Sequence, residues 1–136
     1  MSEESLAVCI LFHEKPDQTS ECIDSFLASG INVYVLNNDS SASAREKVGT
    51  YCTPHKQVKI IDSEVNLGVG IGRNRLIEET TEEWLLFVDN DITMKTAEWK
   101  EVVLRHIRKR PEMEVWLPKL FNVHEGDYLI HQFIHV

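Results

Sequence analysis

The sequence predicts an α/β fold, a mostly parallel sheet with helices on both faces. Three observations predict it. Short apolar runs alternate with segments of helical periodicity several times along the chain, the order that gives parallel strands joined by right-handed crossovers. The runs are continuously apolar, as strands buried on both faces are. Each run stops at a polar cluster: His13-Glu14, Asn37-Asn38-Asp39, Asp62 and Asp89-Asn90-Asp91. In a parallel sheet those ends share one edge, outside which ligands bind.

Leu6 to Phe12 is almost wholly apolar and reads as the first strand. Asp17 is the expected N-cap of the first helix, in which Cys22, Ile23, Phe26 and Leu27 fall at helical spacing and Gly30 is the terminator. Ile31 to Leu36 is the second strand, and Ser41 to Tyr51 a weaker helix broken by Pro54. Gln57 to Ile61 is the third strand, followed by Gly68-Val69-Gly70-Ile71-Gly72 and a helix from Arg73 to about Thr80. Trp84 to Val88 is the fourth strand, delivering Asp89 and Asp91. Thr93 or Thr96 caps a helix with Trp99, Val102, Val103, His106 and Ile107 on one face. Val115 to Leu117 is a brief fifth strand, Asn122 to Asp127 a polar loop, and Tyr128 to Val136 a last strand.

The chain has 136 residues, which suits a single domain, 1–136. Lys and Arg number 14 against 22 Asp and Glu, so the net charge is −8. That balance excludes broad electrostatic binding to nucleic acid, and a phosphate-bearing ligand needs local cations or a metal. No apolar run approaches the roughly 20 residues that cross a bilayer. The start, Met-Ser-Glu-Glu-Ser, lacks a basic signal region, and the reading is cytoplasmic. Cys9, Cys22 and Cys52 form no CxxC pair and read as reduced thiols. The tail from Tyr128 leaves a strand edge, a route to a homo-oligomer.

Asp89 and Asp91 admit two readings. Residues i and i+2 of an extended segment point the same way, so two carboxylates can meet one cation, and oxygen donors suit Mn²⁺ or Mg²⁺. Alternatively Asp-Asn-Asp is a turn, because these side chains bond their own backbone. The glycine run lets backbone amides approach a phosphate at a helix start. It follows the third strand and has GxGxG spacing, which does not match a dinucleotide fingerprint. Arg73 and Arg75 beside it suit a diphosphate or are solvated surface residues. Of the six histidines, His131 and His135 share a strand face but lack a third zinc ligand.

Four of these segments, in order, resemble the nucleotide-binding half of family 2 glycosyltransferases, which have the Rossmann-like GT-A fold. They are the first strand, the strand ending at Asn37-Asn38-Asp39-Ser40, Asn66-x-Gly68 with Gly72-Arg73-Asn74, and Asp89-Asn90-Asp91, similar to the DXD motif. The match runs from Leu6 to Met94. The resemblance implies a glycosyltransferase that binds a nucleotide-diphospho-sugar through Mn²⁺ or Mg²⁺. It implies transfer of the sugar to an acceptor hydroxyl of a glycan, lipid or protein, with inversion. Asp91 would hold the metal, and Asp89 would share it or contact the ribose. Asn38 would approach the base, beside Asp39, and Arg73 the base or diphosphate, next to Gly68. Asn37 and Asn38 stand where the family has acids, and the first strand ends Leu-Phe-His-Glu instead of Pro-Thr-Tyr-Asn.

Family members are longer, so the chain reads as truncated. No residue is assigned as the catalytic base, since nothing matches the late acids Glu125 and Asp127 to it. The alternative is a non-catalytic α/β nucleotide-binding or assembly module.

Overall fold

A computed structural model describes residues 5–115 and the backbone of 120–121 and 128–129. The chain divides into two compact units, Met1–Lys100 and Glu101–Val136. The first unit alternates strand and helix: β1 (Leu6–Phe12), α1 (Pro16–Leu27), β2 (Asn32–Asn38), α2 (Ala42–Cys52), β3 (Val58–Ser63), α3 (Gly68–Glu79) and β4 (Trp84–Asp89). A helix α4 (Trp99–Lys109) follows, running into the second unit. The second unit also carries two short antiparallel strands, β5 (Leu120–Phe121) and β6 (Tyr128–Leu129).

The sheet of the first unit has the order β3-β2-β1-β4, and all three pairings are parallel. The chain builds outward from β1 through β2 to β3, then crosses back to lay β4 on the other side of β1. Right-handed crossovers therefore put α1 and α2 on one face and α3 on the other.

Side-chain alternation serves both faces. Val8, Ile10, Phe12, Val33 and Val35 are fully buried, as are Cys22, Ile23 and Phe26 of α1, which packs on β1 and β2. The opposite set, Cys9, Leu36 and Ile61 with half-buried Leu11, Tyr34, Leu85 and Phe87, packs around Leu76 of α3. The fully apolar strands predicted from the sequence follow from this two-sided burial.

Several boundaries differ from the sequence reading. The first helix starts at Pro16, not after an Asp17 cap; Lys15 precedes it in a left-handed conformation, φ 52°, with no side-chain cap. Proline at the first helical position fixes the start, because its missing N–H has no helical partner to lose. Gly30 is left-handed as expected, φ 68°. β2 and β3 run two residues further, to Asn38 and Ser63, so both polar ends belong to the ladder. Helix α3 begins at Gly68, five residues before the predicted Arg73, and the glycines lie inside it.

Val115 is not in a strand. The predicted loop Asn122 to Asp127, Trp116 and Leu117 of the predicted fifth strand, and residues 130–136 of the last lie outside the described residues.

Candidate functional site

The order β3-β2-β1-β4 reverses direction between β1 and β4. In open α/β sheets the ligand crevice lies outside the carboxyl ends of the strands at this reversal. The loop after β1 and the acid turn after β4 flank it. The register sets Leu11 beside Asp89, Phe12 beside Asn37, and Asn37 beside Asp62. The predicted polar clusters are therefore brought to one edge.

The segment after β4 is a turn. Ile92 N donates to Asp89 O at 3.1 Å, closing a four-residue turn. Asp89 and Asp91 are exposed, whereas Asn90 is half-buried. Asn90 Nδ2 donates to Thr19 Oγ1 of α1 at 3.0 Å. The middle amide is anchored and the two flanking carboxylates face solvent.

Two exposed oxygen donors could hold a hard cation that keeps other positions for water or phosphate. Among the described residues no group of three His, Cys, Asp or Glu forms a closed metal site. The donor set thus fits a cation shared with a ligand, not one enclosed by protein.

Arg73 lies on α3 with its guanidinium 3.6 Å from Asp89 Oδ1 and 5.6 Å from the Phe87 ring centre. Gly68 begins the helix at φ 70°, and its N–H donates to Asn66 Oδ1 at 2.9 Å. A side chain at Gly72 would collide with Leu11 Cδ1, so this glycine lets α3 approach the sheet closely. Arg73 is the sixth residue of α3, more than a turn from its start.

The two asparagines turn inward. Asn37 is 6% exposed; its Nδ2 donates to Asp62 Oδ1 at 3.0 Å, and its Oδ1 accepts from Ser40 N at 3.0 Å. Asn38 is 2% exposed; its Nδ2 donates to Asn66 Oδ1 at 3.1 Å, and its Oδ1 accepts from Leu67 N at 2.8 Å. The side chain of Asn38 thus holds the loop that opens α3. Its carbonyl also accepts from His13 Nδ1 at 2.9 Å; a carbonyl has no proton, so that ring nitrogen is the donor. Asp39, at φ 63°, is exposed at the same edge.

Sequence reasoning missed Glu14. It stands at φ 60° with Lys15 at 52°, and its carboxylate accepts from the Ser41 N–H and, at 2.9 Å, from the Ser41 hydroxyl. Those bonds hold its carboxyl below the ordinary range. Glu14 N also donates to Ser40 Oγ at 2.9 Å. Glu14 thus joins Ser41 Oγ, which accepts from Ala44 N at 3.2 Å, at the start of α2. Left-handed non-glycine residues store strain and gather at functional loops; the signal in sequence was the acid two residues after the strand.

Arg45 grips Asp62 with two bonds, 2.5 and 3.0 Å, lowering that carboxyl. All three cysteines are free and buried, and burial pushes Cys9 and Cys22 up to about 12 and Cys52 to about 11. Glu125, Asp127, His131 and His135 lie outside the described residues.

A parallel Rossmann-like sheet, carrying an acid turn at its reversal and a glycine-rich helix start, is the architecture of the GT-A nucleotide-binding fold. Solved structures share it. A mannosyltransferase of Pyrobaculum calidifontis, PcManGT, in complex with GDP-Man and Mn²⁺, superposes with a TM-score of 0.71 at 12% identity, over 79% of this chain and 33% of that one. Staphylococcus aureus TarS in complex with UDP-GlcNAc superposes with a TM-score of 0.66 at 22% identity, over 79% and 32%.

Residues 7–133 match the family described as Glycosyl transferase family 2, and the chain belongs to that family. A curated relative, the uncharacterized glycosyltransferase YibD of Escherichia coli strain K12, is 26% identical over 93 residues, 66% of this chain and 27% of YibD. The chain thus spans about a third or less of the length of these relatives. Among the described residues no helix is long and apolar enough to cross a membrane.

Proposed function

We propose that this chain is the donor-binding part of a glycosyltransferase that takes a nucleoside-diphosphate sugar and passes the sugar to an acceptor hydroxyl with inversion. The observation that carries the reading is Asp89 and Asp91, exposed on a turn at the sheet reversal beside Arg73, in a family 2 chain. The ligands named for the solved relatives, GDP-Man with Mn²⁺ and UDP-GlcNAc, support a donor of this class.

The residues divide the task. Asp91 holds a divalent cation, with Asp89 sharing it or contacting the ribose. When bound there, Mn²⁺ or Mg²⁺ would supply Lewis-acid neutralisation of diphosphate charge. Arg73 leaves Asp89 for the diphosphate, where a guanidinium makes charge-assisted bonds. The N–H groups of the α3 start, shaped by Gly68, face negative charge at the positive helix end. Asp39 lies toward the base side. Asn38 acts at one remove, by fixing Asn66 and Leu67.

In the transfer, the acceptor oxygen bonds to the sugar's anomeric carbon as that carbon's bond to phosphate breaks. A base must take the acceptor proton.

Thermal stability against UDP, GDP, CDP and dTDP, each with and without Mn²⁺, tests the reading. A ligand that binds only the folded state raises the melting temperature. A manganese-dependent rise with one nucleotide is expected. No rise with any of them overturns the proposal.

A further inference from the structure

The loop that carries the acids makes three hydrogen bonds to a single helix, α1. Asn90 Nδ2 donates to Thr19 Oγ1 at 3.0 Å, Cys22 Sγ donates to Asp89 O at 3.5 Å, and Met94 N donates to Ser25 Oγ at 3.0 Å. Thr19, Cys22 and Ser25 are spaced by three residues along α1, so they lie near one another on one side of the helix. Phe26 continues the contact, meeting the Trp99 ring edge-on at 5.4 Å.

The rail is rigid. Thr19 and Cys22 are fully buried. Each hydroxyl is also oriented by its own helix: Thr19 Oγ1 donates to Lys15 O at 2.9 Å, and Ser25 Oγ donates to Cys22 O at 2.7 Å. With its proton committed to a helical carbonyl, each oxygen is left to accept from the loop. The acid loop takes up the remaining hydrogen-bonding capacity of the two hydroxyls and the Cys22 thiol.

We propose that Thr19 and Ser25 are positioning residues for the divalent cation. They fix Asn90 and Met94, so that Asp89 and Asp91 stand outward in one geometry. The inference rests on the assignment of Asp89 and Asp91 as the cation-binding pair. Neither hydroxyl touches the ligand. Thr19 acts through Asn90, and Ser25 through the backbone of the same loop.

Mn²⁺ titration of the 136-residue chain, in the presence of saturating UDP and separately of GDP, tests this by electron paramagnetic resonance of the free ion. Thr19→Val keeps the shape and removes the acceptor, and is expected to weaken Mn²⁺ about tenfold, the size of one lost hydrogen bond to a buried group. Thr19→Ser restores the oxygen and should recover Mn²⁺ affinity to within about twofold. Tyr51→Phe, which removes the 2.6 Å bond to Asp24 at the α1–α2 contact, serves as the stability control. It should lower the melting temperature without changing Mn²⁺ affinity.

Equal Mn²⁺ affinity in Thr19→Val and wild type overturns the rail while leaving the acid pair in place. Parallel weakening in Tyr51→Phe also overturns it, since the effect is then general loosening. Absence of Mn²⁺ binding by wild type with either nucleotide overturns the acid-pair assignment and the rail with it.

Discussion

Arg73 and Asp89 face each other across α3 and β4, the guanidinium 3.6 Å from the carboxylate and stacked 5.6 Å from the Phe87 ring centre. The pair is well exposed, 36% and 66%, so its own contribution to stability is small. Its importance is as a counter-ion. Arg73 neutralises an acid to which a metal would add a second positive charge.

Arg73→Gln should therefore act with opposite signs on two ligands. Mn²⁺ alone binds about two- to fivefold tighter, since an exposed pair of this kind is worth up to about 1 kcal/mol. UDP or GDP with Mn²⁺ binds roughly tenfold or more weakly, through loss of a charged hydrogen bond. Isothermal titration of both ligands checks the signs; weakening of both leaves Arg73 no counter-ion role.

Gly68 and Gly70 should respond oppositely to alanine. Neither position has an atom within 4 Å of an added Cβ, so space does not decide. Gly68 is at φ 70°, and alanine there costs about 1 kcal/mol in backbone strain. Gly70 has no such φ and sits inside α3, where alanine stabilises by about 0.5–1 kcal/mol. Urea denaturation of the two variants gives the contrast directly.

Asn38→Ala should destabilise by about 1–3 kcal/mol, because it leaves Leu67 N without its partner and takes one of two donors from Asn66 Oδ1 at a site 2% exposed. Gly68 follows that loop directly, so nucleotide affinity should fall as well. Full nucleotide affinity in a destabilised variant would separate Asn38 from the site.

Acid should weaken the fold through Asp62 and Glu14. Arg45, and after it Asn37, hold Asp62 below the ordinary carboxylate range, and the Ser41 bonds do the same for Glu14. A carboxyl lowered in the folded state stabilises fully above its unfolded value, near 4, and loses that contribution as pH falls through the lower folded value. Asp62→Asn should be less stable than wild type at pH 7, and the difference should shrink as pH falls below the ordinary carboxylate range. Denaturation midpoints across a pH series measure this.

Much of the fold could be read from sequence because two-sided burial writes itself as unbroken apolar runs. β1 falls on Leu6–Phe12 as predicted, and β4 starts at Trp84 as predicted and runs one residue past Val88, to Asp89. The start of α3 was not legible. A glycine run reads as loop on propensity, yet Gly72 is buried against Leu11 and Leu36, and close packing makes glycine suitable there. The cap at Asp17 failed for a similar reason, since Pro16 already fixed the helix start.

At the candidate site, residue types were legible but directions were not. Nothing in Asn37-Asn38 says that both amides turn inward to Asp62 and Asn66. Nor does Asn90 announce that Thr19, far off in sequence, holds it. Such long-range bonds become visible only when the strand order is known.

The tethers divide the sheet edge into two suspensions. Neutral amides and Glu14 lace together the loops that follow β1, β2 and β3, whereas the turn after β4 hangs from α1. Arg73 and Asp89 bridge the two. A substitution in the laced loops can reshape one bank of the crevice while the other keeps its geometry.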